Sequence, residues 1–308
     1  MFSKKLLIPL LSLSLLVTPA YSSHAAENTE AAGTSVEGQG MLSPSSSSER
    51  SESVFNGSGA GTSSEPVTDE KLETILKQVQ SQLPTENGTW AVFISDLVNG
   101  TEGSLNDQKM QAASLIKLYI MGAVYENYEQ ITGQYGRDSV DSNLYSMITV
   151  SDNDAANTLT TYLGGGDSAA GMQAVNSFCQ AHGYDQTHMG RMLLASNEND
   201  DNYTSVGDCG HLLQEIYKQD TSGYTHAADM FNLLKAQTRC NKIPAQLPEG
   251  VKTANKTGEL DNVENDARII YDSKNDIVIV FMSQNLSSAG SAQNTIATLS
   301  RTIYDYYN

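Results

Sequence analysis

The sequence predicts an α+β fold. Helices at the two ends of the folded region cover one face of an antiparallel sheet, and an all-helical block forms a second lobe. Three observations predict it. A helix pattern opens the folded region. Strand signals follow it and return near the C-terminus. The stretch between them, from about residue 113 to 238, has mainly helical patterning. A cleft between two such lobes is the expected place for an active site.

Residues 1–25 read as a secretory signal peptide. Lys4 and Lys5 form a short basic region, and Leu6 to Val17 is an apolar stretch too short to span a bilayer comfortably. Ser23-His24-Ala25 supplies the small residues that cleavage after Ala25 requires; an uncleaved anchor is the alternative. No Cys follows the apolar stretch, so a lipoprotein anchor is not expected. The protein is therefore expected to be secreted, without stable membrane insertion after cleavage. Residues 26–67 are rich in Ser, Gly and Glu, and bury too little apolar surface to offset the entropy of ordering. A disordered linker is expected there, with the folded domain over 68–308.

Thr68 can cap a first helix whose Leu72, Ile75, Leu76, Val79 and Leu83 share one face. Pro84 and Asn87-Gly88 end it. "TWAVFISDL" is β-rich, and Asn99-Gly100 follows as a hairpin turn. Within the helical block, Gly164-Gly165-Gly166 and Gly183 mark helix ends. "VKTANKTGEL", "ARIIYD" and "DIVIVFMS" carry the later strand signals. Ile296, Leu299, Ile303 and Tyr307 then give a closing helix.

The formal net charge is −18, from 36 acidic against 18 basic residues. Phosphate backbones and anionic membrane surfaces repel such a chain, so nucleic acid is not an expected partner. Three cysteines, Cys179, Cys209 and Cys240, allow one bridge and one free thiol, with Cys209–Cys240 the preferred pair. The alternative is that all three are small buried apolar residues. The five histidines form no HxxxH or HxH pair, and the acidic "SNENDDN" does not match a calcium loop. No metal and no cofactor are expected, and the chain is expected to be a monomer.

Three short motifs carry chemistry. Ser114-Leu115-Ile116-Lys117 opens an apolar helix, Ser151-Asp152-Asn153 lies in a polar turn, and Lys256-Thr257-Gly258 lies in a strand. Residues three apart on a helix share a face, so Lys117 can reach the Ser114 hydroxyl. A serine hydroxyl is a weak nucleophile until a base takes its proton. A lysine serves as that base when burial or a neighbouring cation, here Lys256, lowers its pKa. A helix N-terminus at Ser114 also favours developing negative charge. Ser151 can relay a proton to a leaving nitrogen, and the Asn153 amide can bind an acylamide. Gly258 lets a substrate approach the strand closely. The backbone N–H groups of Ser114 and Glu259 can form an oxyanion hole. Taken singly, Ser-x-x-Lys is common, the Ser151 triplet is a good helix cap, and Lys256-Thr257-Gly258 is an ordinary strand end. Their joint occurrence, in order and in context, points to catalysis.

At "ASLIK", "SDNDAANTL" and "NKTGEL" the sequence resembles class A β-lactamases and the wider penicillin-recognising serine hydrolases, over roughly residues 68 to 308. The resemblance implies a two-lobed fold with a five-stranded sheet, and acylation of a serine by a small-molecule β-lactam or a D-Ala-D-Ala peptide. It implies Ser114 as nucleophile, Lys117 as its base and Ser151 as relay. Asn153 would bind the acylamide, and Lys256 and Thr257 the substrate carboxylate. Two departures follow. If Arg191 matches the arginine that opens the deacylation loop of class A enzymes, Leu193 stands where a water-activating Glu is expected; the only Glu in the stretch is Glu198. Losing such a base costs about 10²–10⁴-fold. In addition, only 37 positions separate Ser114 from Ser151, so a wall of the cleft is shortened. The arginine partner for a substrate carboxylate is Arg268 or Arg239. Three functions fit: a class A-like hydrolase with slow deacylation, a small penicillin-binding peptidase, and a non-catalytic sensor. The intact base and relay argue against the last.

Overall fold

The computed structural model describes residues 69–219 and 224–308, all within one unit, Ser63–Asn308. The expected signal peptide (1–25) and linker (26–67), and Thr68, lie outside the described residues.

Helix α1 (Glu70–Gln82) is capped by Asp69: its carboxylate accepts from the backbone N–H of Lys71 at 3.0 Å and Leu72 at 3.4 Å. A carboxylate satisfies orphan N–H groups and complements the helix dipole at once. Strands β1 (Thr89–Asp96) and β2 (Thr101–Leu105) form the expected hairpin, with Gly100 at φ +69° in the turn. After the helical block come β6 (Lys252–Leu260), β7 (Val263–Tyr271), β8 (Ile277–Gln284) and α9 (Ala289–Tyr307). The five-stranded antiparallel sheet has the order β2-β1-β8-β7-β6, so β6 is an edge.

Both faces of the sheet are covered, which explains why β1 and β8 read as continuous apolar runs. Successive side chains go to opposite faces. Trp90, Val92 and Ile94 pack with Leu72 and Ile75 of α1 and with Ile296 and Ile303 of α9. Ala91 and Phe93 face the helical lobe instead. That lobe consists of α2 (Ile116–Glu126), α3 (Tyr128–Tyr135), α4 (Arg137–Thr149), α5 (Asn153–Leu163), α6 (Ser168–Ala181), α7 (Val206–Lys218) and α8 (Ala227–Lys235). Helix α2 is its centre, with every residue from Ile116 to Tyr125 buried. The segment between Ser114 and Ser151 holds α2, α3 and α4.

Two expectations are corrected. The block from 113 to 238 contains two short strands, β4 (His188–Met189) and β5 (Asn202–Thr204), which form a small second sheet with β3 (Met110–Gln111) just ahead of the block. Strands of two or three residues are too short to show alternation. All three cysteines are free thiols, so the expected Cys209–Cys240 bridge is not formed. Cys209 lies inside the lobe beside the Tyr119 and Thr204 hydroxyls, whereas Cys240 is exposed. Burial pushes the Cys179 and Cys209 thiols up to about 12.

Candidate active site

Ser114 stands in a single 3₁₀ turn, Ala113–Leu115, that runs directly into α2. The turn is fastened from three sides. Ala112 N–H donates to Asn202 O of β5 at 2.9 Å. The buried Asn265 amide, from β7, donates to Gln111 O at 2.9 Å and Ala112 O at 3.2 Å. Gly258 of β6 abuts it so closely that a Cβ would lie 2.8 Å from Ala112 O and 3.1 Å from Ser114 N. Glycine here admits the close approach of the turn that carries Ser114, a contact the sequence did not reveal. Ala113 is held at φ +47°, a left-handed conformation that an alanine adopts only under external constraint.

The three motifs meet. Lys117 Nζ lies 3.2 Å from Ser114 Oγ and 3.1 Å from Ser151 Oγ, and donates to Ser151 O at 2.6 Å and Asn153 Oδ1 at 2.7 Å. Asn153 thus reaches the lysine, in addition to lining the cleft. Ser151 is at φ +62°, and Asp152 caps α5 by accepting from Ala155 N–H at 2.8 Å. The cap and the turn that presents Ser151 are one structure. Lys256 Nζ reaches Ser151 Oγ at 2.9 Å from the other side and donates to Thr257 O at 2.6 Å. One hydroxyl is thus flanked by two amines.

Burial lowers the Lys117 ammonium to about 8; Asp152 opposes the shift and Arg239 adds to it. Lys256, fully buried, is pushed well below the usual lysine range by desolvation first and then by the charges of Lys117, Arg239 and Lys242. The cations that depress Lys117 therefore include Arg239, where the sequence suggested Lys256.

Around Glu259 of β6, on the cleft, lies an ion-pair group that the sequence did not reveal. Glu259 accepts from Arg239 Nη1 at 2.6 Å and from Lys242 Nζ at 2.9 Å, and Lys242 also donates to Glu264 at 2.8 Å. Of the two candidate arginines, Arg268 is buried and engaged with Thr253, Arg239 O and Asp266. It does not point outward. Arg239 is the partly exposed one, though its guanidinium is already paired.

The cleft that contains Ser114 has a volume of about 550 Å³ and is lined by Asn153, Leu193 and Glu259 among others. Leu193 is clamped to α5: its N–H donates to Asn157 Oδ1 at 2.8 Å, and its C=O accepts from Asn157 Nδ2 at 3.1 Å. Among the described residues, the carboxylates lining the cleft are Glu259 and Asp261; Glu198 is exposed and does not line it. Arg191 is fixed by Asp201 at 2.6 Å and donates to the carbonyl of Ala195 at 3.1 Å, closing the loop on itself. No helix among the described residues is long and apolar enough to cross a membrane.

The α+β domain thus gathers Ser114, Lys117, Ser151 and Lys256 into one hydrogen-bonded group, with Ser114 on the cleft, and the fold and site together define a serine hydrolase. The sequence pattern described as "Beta-lactamase enzyme family" matches residues 71–135 and 134–307, and the chain belongs to that family. No curated protein matches it. Among solved structures, it is similar to a β-lactamase from Sphaerobacter thermophilus, with 20% identity, TM-score 0.63, and coverage of 76% of this chain and 96% of that one. A structure of PBP-A gives 22% identity, TM-score 0.66 and coverage of 76% and 96%. An ancestral class A β-lactamase gives 19% identity, TM-score 0.65 and coverage of 75% and 99%. A leucine-to-glutamate variant of PBP-A, described as an acyl-enzyme complex with penicillin G, is similar to the same extent as PBP-A itself.

Proposed function

We propose that this protein is acylated at Ser114 by β-lactams and releases the acyl group slowly. The observation that carries the reading is the position of Lys117 Nζ, buried and within 3.2 Å of Ser114 Oγ. Ser151 O and Asn153 Oδ1 are carbonyl oxygens and can only accept, so they engage two N–H bonds of the amine. In the neutral amine the remaining position is a lone pair, directed toward Ser114 Oγ and Ser151 Oγ. Lys117 then takes the Ser114 proton as Oγ attacks the lactam carbonyl carbon. The Oγ–C bond forms and the C–N bond breaks. The proton passes through Ser151 Oγ, with Lys256 on its far side, to the leaving nitrogen. The backbone N–H groups of Ser114 and Glu259 would hold the oxyanion. Asn153 would bind the acylamide, and Lys256 and Thr257 would hold the carboxylate side of the substrate through a shared hydrogen-bond network.

Slow release follows from Leu193. An apolar side chain lines the cleft where hydrolysis of the ester needs a base to activate water. The same observation favours a second reading, a small penicillin-binding peptidase that transfers or hydrolyses cell-wall peptide through the same serine. On the reading of residues 1–25 as an export signal, either reaction takes place outside the cytoplasm. Labelled penicillin is expected to form a covalent adduct on Ser114, seen by mass spectrometry as a mass gain on one peptide and lost in Ser114→Ala. Absence of an adduct with several β-lactams would overturn the proposal. The lifetime of the adduct separates the two readings.

A further inference from the structure

A second cavity opens near the end of α2 that lies away from Ser114. It has a volume of about 520 Å³, close to that of the catalytic cleft, and shares no lining residue with it. Three rings from separate elements meet there: Tyr125 of α2, Tyr128 of α3 and His226, just ahead of α8. The tyrosine centroids lie 5.5 Å apart, and His226 is 5.1 Å from Tyr125 and 4.9 Å from Tyr128. Two of the rings are tied to carboxylates in the cavity lining. The Tyr128 hydroxyl donates to Asp141 Oδ1 of α4, and His226 Nδ1 donates to Asp229 of α8 at 2.9 Å. Tyr125 is different. It is only 8% exposed and lines the cavity, yet its hydroxyl has no hydrogen-bond partner among the described residues. A buried hydroxyl normally finds one. Burial first, and then Asp229 and Asp141, raise this phenol above the ordinary tyrosine range, so it keeps its proton. Arg137 is the only lysine or arginine in the lining. It lies over Tyr128, 5.0 Å from the ring centroid, and its charge is met by Glu129 at 3.6 Å.

We infer that this cavity is a binding site for a small organic ammonium ion, a primary amine carried on an apolar body. Tyrosine faces attract cations, the more strongly where water is excluded. Arg137 already uses Tyr128 in this way. A primary ammonium has three N–H donors and no acceptor. Asp141, Asp229 and the Tyr125 hydroxyl oxygen are acceptors in the lining that can take them, and Leu144 and Leu233 offer apolar wall to the body. An anion would meet two carboxylates and a single arginine whose charge is already balanced, and like charges reject a ligand. The site stands apart from Ser114 and does not depend on its acylation.

The test titrates the protein with 2-phenylethylammonium chloride and, at matched ionic strength, with 2-phenylethanol, which has the same body without the charge. Amide chemical shifts report both affinity and place. Saturable shifts are expected at Tyr125, Asp141, Asp229 and Leu233, with the ammonium bound about tenfold or more tighter than the alcohol. Asp141→Asn and Asp229→Asn keep the shape and an acceptor oxygen at exposed positions, so folding is not endangered. Each is expected to weaken the ammonium by about threefold or more and to leave the alcohol unchanged. Tyr125→Phe keeps the ring, loses the unpartnered hydroxyl and is expected to weaken the ammonium by about threefold. Equal affinities for the two probes, an ammonium affinity unchanged in all three variants, or shifts confined to the Ser114 cleft would each overturn the inference. None of these results bears on whether Ser114 is acylated.

Discussion

Replacing Gly258 by alanine tests how the nucleophile is positioned. The new Cβ would lie 2.8 Å from Ala112 O, 3.1 Å from Ser114 N and 3.2 Å from Leu115 N. Ordinary heavy-atom contacts begin at about 3.5 Å, so the turn and the strand must separate by roughly half an ångström. The strand cannot retreat, because β6 is paired with β7 at every position from Lys252 to Leu260. Nor can the Ala112 carbonyl tilt freely, since it accepts from Leu115 N–H at 2.9 Å and from the Asn265 amide. The turn carrying Ser114 must therefore move. Misplacing a reacting group by 1 Å costs about 10²-fold, so half that shift is expected to slow acylation by about tenfold or more. Overpacking is expected to cost about 1–3 kcal/mol of stability. Acylation by a fluorescent penicillin and urea unfolding measure the two effects. Gly133→Ala is the control: nothing lies within 4 Å of the added atom, and in α3 the change should stabilise by up to about 1 kcal/mol. Wild-type acylation in Gly258→Ala with under about 0.5 kcal/mol of destabilisation would refute the argument.

Acylation should rise with pH. The base is active when unprotonated and Lys117 sits at about 8, so the rate is expected to fall about tenfold per pH unit below that value and level off above it; a flat profile between pH 6 and 9 would exclude Lys117 as the base. Lys117→Ala should lower acylation by about 10²–10⁴-fold at pH 7, read by the same label. Leu193→Glu places a carboxylate on the clamped loop and should shorten the adduct lifetime by about 10²-fold, whereas Glu198→Gln should leave it unchanged; time-resolved mass spectrometry checks both. Asn265→Ala removes donors to Gln111 O and Ala112 O and leaves the Ser283 N–H without its acceptor, for an expected loss of about 2–4 kcal/mol in urea unfolding.

The regular elements were legible because their patterns are long. α1 and α9 show their buried stripes directly, and Gly100 and the Gly164–Gly166 run fall where the chain turns. Ser114, Lys117, Ser151 and Lys256 were legible as motifs, since chemistry fixes their spacing. What was hidden depends on residues far apart. Nothing near Glu259 in the chain announces Arg239 or Lys242, and the burial of Arg268 follows from strand register against partners 15 to 29 residues away. Gly258 was read as a gap for substrate because the turn that fills it lies more than a hundred residues earlier. Asn265 left one signal, an amide inside an otherwise well-formed strand, which a buried position tolerates only with partners.

The strain at Ala113 and Ser151 has a consequence for how reactivity arises. Neither backbone would rest in a left-handed conformation alone, and the amines on Ser151 come from residues 34 and 105 positions away. Before the sheet and the helical block have closed on each other, residue 114 is an ordinary alcohol. Reaction with a labelled lactam would then count only finished molecules, and a loosened fold would fall silent before it unfolds.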